Sequence, residues 1–268
     1  MSIDVELLLH PSDKAALKTL KAIPGFTPFV KAYMKIINER QLRIVNKSSN
    51  LQISEKQMPE YYHMLLPICE KLGITMPELY LELNVQPNAY TYGDANPFIV
   101  MTTGLLETIP NDLIPTVLAH ECGHIACRHT LYSTMGRMLL NGMGRFIKDI
   151  PALLAVSIET AFAYWMRCSE FSADRIAAIC DGGHEKMAEV CFRFAGYDKD
   201  IYAQASLNAF YEQAEEYRDL VINDKWNKAL EFILFSGCDH PLNAVRALEC
   251  RDWAATDQFR EIISLLDH

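Results

Sequence analysis

The segment from His120 to His124 constrains the fold of this chain more than any other part of the sequence. It contains His-Glu-Cys-Gly-His within a stretch whose apolar residues recur at helical spacing. Because residues four apart on an α-helix project from the same face, both imidazoles would reach one metal ion. Glu121 would lie beside them, where a carboxylate can hold and deprotonate a water molecule instead of binding the ion. The spacing therefore predicts a metal-binding helix with a general base next to the metal.

A further ligand is required, because a catalytic zinc site uses three protein ligands and a short motif also arises by chance. Glu170 and Asp174 are candidates, since they too are four residues apart. One carboxylate would bind the metal, and the other would accept a hydrogen bond from a ligand histidine. The alternative is an acidic helix face in solvent. Apolar neighbours favour burial of the pair: Phe171, Ala173, Ile176, Ala177, Ala178 and Ile179.

The order of several motifs resembles that of the gluzincin metallopeptidases, and within them the family of the HtpX protease and the CaaX prenyl proteases. The two motifs above are preceded by Asn-Ala-Tyr-Thr-Tyr-Gly at 88–93 and Ile-Val-Met-Thr-Thr-Gly-Leu-Leu at 99–106. A late element, Asp-His-Pro-Leu at 239–242 followed by Arg246, is similar to the family's His-Pro-x-x-x-x-Arg. The resemblance extends over roughly residues 59 to 250.

The resemblance implies a zinc-dependent metalloendopeptidase that hydrolyses peptide bonds, with one zinc ion per chain and a peptide or protein substrate. His120, His124 and Glu170 would be the zinc ligands. Glu121 would activate a metal-bound water, and Asp174 would hold a ligand histidine in position. The implied fold is α+β, mostly helical and zincin-like, with a small β-sheet whose edge strand lies beside the helix of the two histidines.

The resemblance also assigns residues to the substrate. His240 would stabilise the oxyanion, which suits an imidazole just before a proline that can open a helix. Without the resemblance, the same histidine would be interpreted as a helix cap. Asn88, Ala89, Val100 and Arg246 would contact the substrate, although the arginine equally fits an ordinary surface position.

A non-catalytic, zinc-stabilised module that binds peptides or proteins is the competing interpretation. Glu121 argues for catalysis, because a purely structural site has no use for a base and normally closes its fourth position with another Cys or His. A peptidase held latent by its N-terminal segment is a third hypothesis.

Two β-strands are predicted at 80–83 and 98–102, from alternating and β-branched residues respectively. The Gly-Asp-Ala-Asn-Pro cluster at 93–97 predicts a turn that joins two strands into a hairpin. If 98–102 is an edge strand, it can pair its backbone with an extended substrate. A core strand is the alternative for this segment.

The remaining chain is predicted to be helical, which gives an α+β class. Gly123 within the histidine helix predicts a close approach of another backbone, because glycine otherwise costs a helix about 1 kcal/mol relative to alanine. The predicted helices are 59–73, 131–145, 152–181, 185–195, 203–235, 241–250 and 253–267.

Length and composition indicate one compact unit, in which 1–58 is a helical extension packed on a catalytic domain of 59–268. Residues 1–60 contain nine Lys or Arg against six Asp or Glu, whereas the whole chain has a net charge of −9. The basic start would therefore attract the acidic remainder, either as a cover over the cleft or as an ordinary helical layer. The acidic balance argues against nucleic acid as a partner.

No transmembrane segment is predicted, since the best apolar run, 150–158, is far shorter than the roughly 20 residues that span a bilayer. The N-terminus lacks the basic and apolar layout of a signal peptide. The eight cysteines show no Cys-x-x-Cys spacing, which is typical of reduced thiols. These observations predict a cytoplasmic protein, with peripheral membrane contact and oligomeric state left open.

Overall fold

Helices form most of the chain in the computed structural model, which describes residues 3–36, 39–140, 152–198, 204–222 and 242–266. A short 3-10 helix, Val5–Leu7, precedes the first α-helix. The α-helices are α1 (Pro11–Ala22), α2 (Phe26–Ile36), α3 (Glu39–Ser49), α4 (Pro59–Leu72), α5 (Thr103–Thr108), α6 (Ile114–Ala126), α7 (Thr130–Leu140), α8 (Ala152–Asp181), α9 (Glu185–Phe194), α10 (Leu207–Ile222), α11 (Asn243–Ala254) and α12 (Asp257–Leu266).

Each predicted helix overlaps an observed one, but the break predicted after residue 250 lies after Ala254, and the helix predicted from 203 begins at Leu207. The helices predicted at 59–73, 152–181 and 185–195 correspond to α4, α8 and α9. The ends predicted at 141–145 and 223–235 lie outside the described residues. Within the described segments, no helix is both long and apolar enough to cross a membrane.

The sheet has four strands: β1 (Leu51–Ile53), β2 (Glu78–Glu82), β3 (Ala89–Tyr92) and β4 (Phe98–Thr102). Their order across the sheet is β1-β2-β4-β3, with β2 parallel to β4 and the outer strands antiparallel to their neighbours. The predicted hairpin is confirmed as β3 and β4. Gly93 opens its turn at φ 102°, a conformation that glycine adopts without steric cost.

Of the two alternatives for 98–102, the structure shows the core strand. β4 is interior, and its Val100 pairs with Tyr80 on one side and with Tyr90 on the other. All five residues of β4 are buried, which is typical of a strand covered on both faces. β3 therefore provides the edge that lies beside α6, so the predicted edge strand next to the histidine helix is present in a different segment.

The close backbone approach predicted at Gly123 is confirmed where α6 crosses α8. A Cβ atom on this glycine would lie 3.1 Å from the Cα atom of Ala173 and 3.2 Å from the Cβ atom of Ile176. Real side chains do not tolerate such contacts without movement of a neighbour. The crossing brings the segment 170–174 directly against the segment 120–124.

The first 58 residues share both the sheet and the core with the rest of the chain. β1 extends the sheet next to β2, and α3 covers the outer face, where Leu42 packs against Tyr80, Phe98 and Val100. α1 packs along α8 within a second hydrophobic cluster that also includes α2 and α7. The division at residue 58 stays a prediction.

Candidate metal centre

Three buried side chains converge where α6 crosses α8. The Nε2 atoms of His120 and His124 are 3.2 Å apart. Glu170 places Oε2 at 3.4 Å from Nε2 of His120 and Oε1 at 3.3 Å from Nε2 of His124. Among the described residues, this is the group of His, Cys, Asp and Glu side chains whose ligand atoms could hold one ion. Helical spacing explains the pair of histidines, and the crossing at Gly123 explains the glutamate.

These distances suit a zinc ion. An ion about 2.0–2.1 Å from each donor of a tetrahedron requires donors about 3.3 Å apart. The separations of 3.2, 3.3 and 3.4 Å are close to this value, with each histidine facing a different carboxylate oxygen of Glu170. Two imidazoles and one carboxylate leave a fourth corner for water or substrate, which is the ligand set of a catalytic zinc site.

Asp174 and Arg246 support this triangle from behind. Oδ1 of Asp174 lies 2.8 Å from Nδ1 of His120, so Nε2 of that ring faces the other ligands. The Arg246 guanidinium donates to both carboxylate oxygens of Asp174, at 2.8 and 2.6 Å, and lies 3.1 Å from Glu170. All of these groups are buried. The structure thus places Asp174 where the sequence predicted a partner for a ligand histidine.

The electrostatics differ between the two histidines. Burial alone would lower the pKa of His120, but hydrogen bonds with Asp174 and Glu170 raise it to about 9. Burial lowers the pKa of His124 to about 4, because attraction to Glu170 does not compensate for lost hydration. Burial would raise the pKa of Asp174, but Arg246 and His120 lower it. The two histidines therefore have different surroundings: two carboxylates favour the charged form of His120, whereas burial dominates at His124.

Glu121 lies next to the ligands but outside their set, and it is buried. The hydroxyl of Thr91, on the edge strand β3, donates to its Oε2 atom at 2.6 Å. The same hydroxyl is 3.4 Å from the main-chain oxygen of Glu121. One carboxylate oxygen is thus held by the strand, and the other is left for a different partner. Sequence reasoning did not identify Thr91, although it lies within the Asn-Ala-Tyr-Thr-Tyr-Gly segment.

The predicted substrate residues occupy different environments. Val100 is fully buried in the interior strand, where it has no free edge to offer. Arg246 is directed at Asp174 and Glu170, so the geometry gives it a supporting position. The backbone of Asn88 already bonds to Thr102, at 2.9 and 3.0 Å. His240 lies outside the described residues, and its predicted role stays a prediction.

Ala89 is a buried residue of the edge strand β3. In an antiparallel pair the hydrogen-bonded positions alternate, and Asn88 opposite Thr102 is one of them. The backbone groups of Ala89 and Thr91 consequently point away from β4. Arg137 of α7 donates to the Thr91 carbonyl at 3.1 Å, so α7 covers one end of this edge.

His129 lies just past the end of α6 and also reaches the metal centre, a role that the sequence pattern did not predict. The structure brings its Nδ1 atom to 3.1 Å from Nδ1 of His124. The position of this histidine relative to the metal centre depends on the turn that follows α6, and the sequence did not predict that turn.

Comparison with known proteins decides the family. Residues 56–254 match the sequence profile of Peptidase family M48. The chain belongs to this family. The match includes both metal-binding segments as well as Arg246, and it covers most of the chain. The M48 chain is therefore a protease of a metal-dependent family, and its substrate is a peptide or a protein.

Curated relatives agree with the assignment to family M48. The chain is 29% identical over 266 residues to the plastoglobule-localized metallopeptidase 48, chloroplastic, of Arabidopsis thaliana, with 97% of this chain and 76% of the relative covered. It is 29% identical over 162 residues to the protease HtpX homolog of Ralstonia nicotianae, with 51% and 56% covered. It is 28% identical over 174 residues to the protease HtpX homolog of Ralstonia pickettii, with 56% of this chain and 60% of the relative covered. No solved structure matches the chain.

Proposed function

We propose that this M48 chain is a zinc-dependent endopeptidase in which Glu121 accepts the proton of the attacking water. The observation that supports the proposal is the convergence of ligand atoms of His120, His124 and Glu170 beside a buried carboxylate that is outside this group. A structural zinc site would close its fourth corner with another protein ligand. Here the buried carboxylate of Glu121 lies outside the group and would accept a proton.

The protein side of the reaction follows from the geometry. When bound, zinc would polarise the scissile carbonyl and make a coordinated water more acidic. Glu121 would receive the proton on the oxygen that Thr91 does not hold, and would then pass it to the leaving amine. Asp174 and Arg246 would keep His120 and Glu170 oriented throughout. Oxyanion stabilisation by His240 belongs to the proposal as a prediction.

The substrate would bind along the edge of β3. An extended peptide can pair with the outward backbone groups of Ala89, as in other cases where a strand is added to a sheet. Arg137 already occupies the carbonyl of Thr91, so the pairing would be confined to the end of the strand near Ala89. Pairing of this kind uses the peptide backbone and no terminal charge. It therefore supports cleavage within a chain rather than removal of terminal residues.

The test combines metal analysis with peptides that have no charged ends. The purified full chain is expected to contain about one zinc ion and to cleave peptides that are acetylated at the N-terminus and amidated at the C-terminus. A quenched library of unstructured peptides with both ends blocked would be compared with the same library unblocked. Cleavage of the unblocked set alone would contradict an endopeptidase. Bound zinc without cleavage of either set would favour the peptide-binding module or a latent enzyme.

Thr91→Val should lower kcat about tenfold with little change in KM, because valine has the same shape but cannot hold Glu121. Hydrogen bonds to charged groups contribute about 1.5–3 kcal/mol, and the tenfold estimate assigns about half of this to orientation of the base. Steady-state kinetics on a blocked peptide would measure the effect. Thr91→Ser is the matched control, since it keeps the hydroxyl and should retain most of the activity. Equal losses in both variants would show that the hydroxyl is not what matters.

A further inference from the structure

His129 reaches the metal centre because of the turn that follows α6. Arg128 adopts a left-handed conformation with φ 57°, and the N–H of His129 donates to the carbonyl of His124 at 2.9 Å. The chain therefore folds back, and the two imidazoles meet with their Nδ1 atoms 3.1 Å apart. His129 is 2% exposed, so water does not provide it with partners.

The other nitrogen of His129 meets a buried carboxylate from the N-terminal helix α1. Its Nε2 atom is 2.9 Å from Oδ2 of Asp13. Trp165 donates to Oδ1 of this carboxylate at 2.9 Å, and Ser172 donates to Oδ2 at 2.6 Å. Burial by itself would raise the pKa of Asp13, but these hydrogen bonds lower it. A charged carboxylate is therefore held, fully satisfied, behind His129.

When His124 binds a metal, the hydrogen bonds can run in only one direction, from His124 through His129 to Asp13. If Nε2 of His124 binds a metal, its remaining proton must be on Nδ1, and that N–H has to donate. Its partner is Nδ1 of His129, which can accept only when the proton of this second ring is on Nε2. That proton then points at Asp13, which accepts it. Every buried group in the chain of contacts is satisfied in this single arrangement.

We propose that His129 and Asp13 are positioning residues that orient His124 for metal binding, and that α1 thereby completes the metal centre. The proposal rests on the proposed function, since it requires a metal at Nε2 of His124. The two ligand histidines would then have separate supports: Asp174 for His120, and the pair formed by His129 and Asp13 for His124. Partners of this kind select the tautomer and the ring orientation of a ligand.

Two substitutions test the proposal by metal affinity. Asp13→Asn and His129→Phe are each expected to weaken zinc binding about 10- to 100-fold, measured by competition with a chromophoric chelator. The visible spectrum of the cobalt-loaded full chain should also change in both variants, since it reports the ligand geometry directly. Asp181→Asn is the matched control: this carboxylate of α8 accepts a hydrogen bond from Thr116 of α6 at 2.8 Å but touches no ligand. Its zinc affinity should stay within about twofold of the wild type.

A measurement on the wild-type protein keeps the proposal testable if a variant does not fold. Long-range proton–nitrogen NMR spectra of the zinc-loaded, histidine-labelled chain should show His124 protonated on Nδ1 and His129 protonated on Nε2. A proton on Nδ1 of His129, or variants with wild-type zinc affinity and cobalt spectrum, would overturn the proposal. A wild-type chain that binds no zinc would instead contradict the proposed function. The two failures are therefore distinguishable.

Discussion

The Glu121→Gln substitution is expected to lower kcat for peptide cleavage by about a hundred- to ten-thousandfold, while the bound metal stays in place. Glutamine has the same shape and can still accept the hydrogen bond that Thr91 donates at 2.6 Å. It cannot, however, take a proton from water. Because Glu121 is not a member of the ligand triangle, its charge is not required to hold the ion.

The measurement is kcat on a blocked peptide, with the metal content determined on the same preparation. Glu107→Gln on α5 is the matched control, because it makes the same chemical change at an exposed glutamate. Its kcat should equal that of the wild type. If Glu121→Gln retained more than about a tenth of the activity, another group would have to be the base. If it lost the metal as well, Glu121 would be a ligand.

The Arg246→Leu substitution is expected to lower the free energy of unfolding of the metal-free protein by about 3–5 kcal/mol. The guanidinium bonds to both oxygens of Asp174 and approaches Glu170 at 3.1 Å, and all three side chains are buried. Leucine fills part of the space but removes the guanidinium from Glu170 and both of its hydrogen bonds from Asp174. Removal of one partner from a buried ion pair is costly because the remaining charge is neither hydrated nor paired.

Urea unfolding of both proteins without metal would give the difference. Arg251→Leu, on the same helix α11, is the matched control, since its ion pairs with Glu215 and Asp252 are partly exposed to solvent. Exposed pairs contribute about 0–1 kcal/mol, so this variant should be nearly as stable as the wild type. A similar loss in both variants would show that loss of helix packing, and not the buried charge, determines the result. It would then leave the predicted substrate role of Arg246 open.

The local geometry of the site could be predicted from the sequence. Helical spacing alone places His120 beside His124 and Glu170 beside Asp174, because four residues make about one turn of any α-helix. The close crossing at Gly123 was also predictable, since a glycine inside a helix requires a reason. The hairpin turn at 93–97 followed from its glycine and proline in the same way.

The order of the strands was not predictable from the same information. A β-branched run such as 98–102 is compatible with an edge or an interior position, and the choice depends on which other strands pair with it. Here β2 pairs with one side of β4 and β3 with the other, so β3 forms the edge of the sheet. Backbone pairing of Val100 with a substrate would have required the edge position.

The amino-acid sequence by itself determined two local pairs, His120 with His124 and Glu170 with Asp174, because each pair extends over one turn of helix. Only the tertiary structure decided what surrounds them. Asp13 and His129 are far apart in the chain, yet burial without water forces each of their polar atoms to find a partner. Such pairings depend on how helices cross, and the spacing of residues along the chain does not predict which helices cross or where.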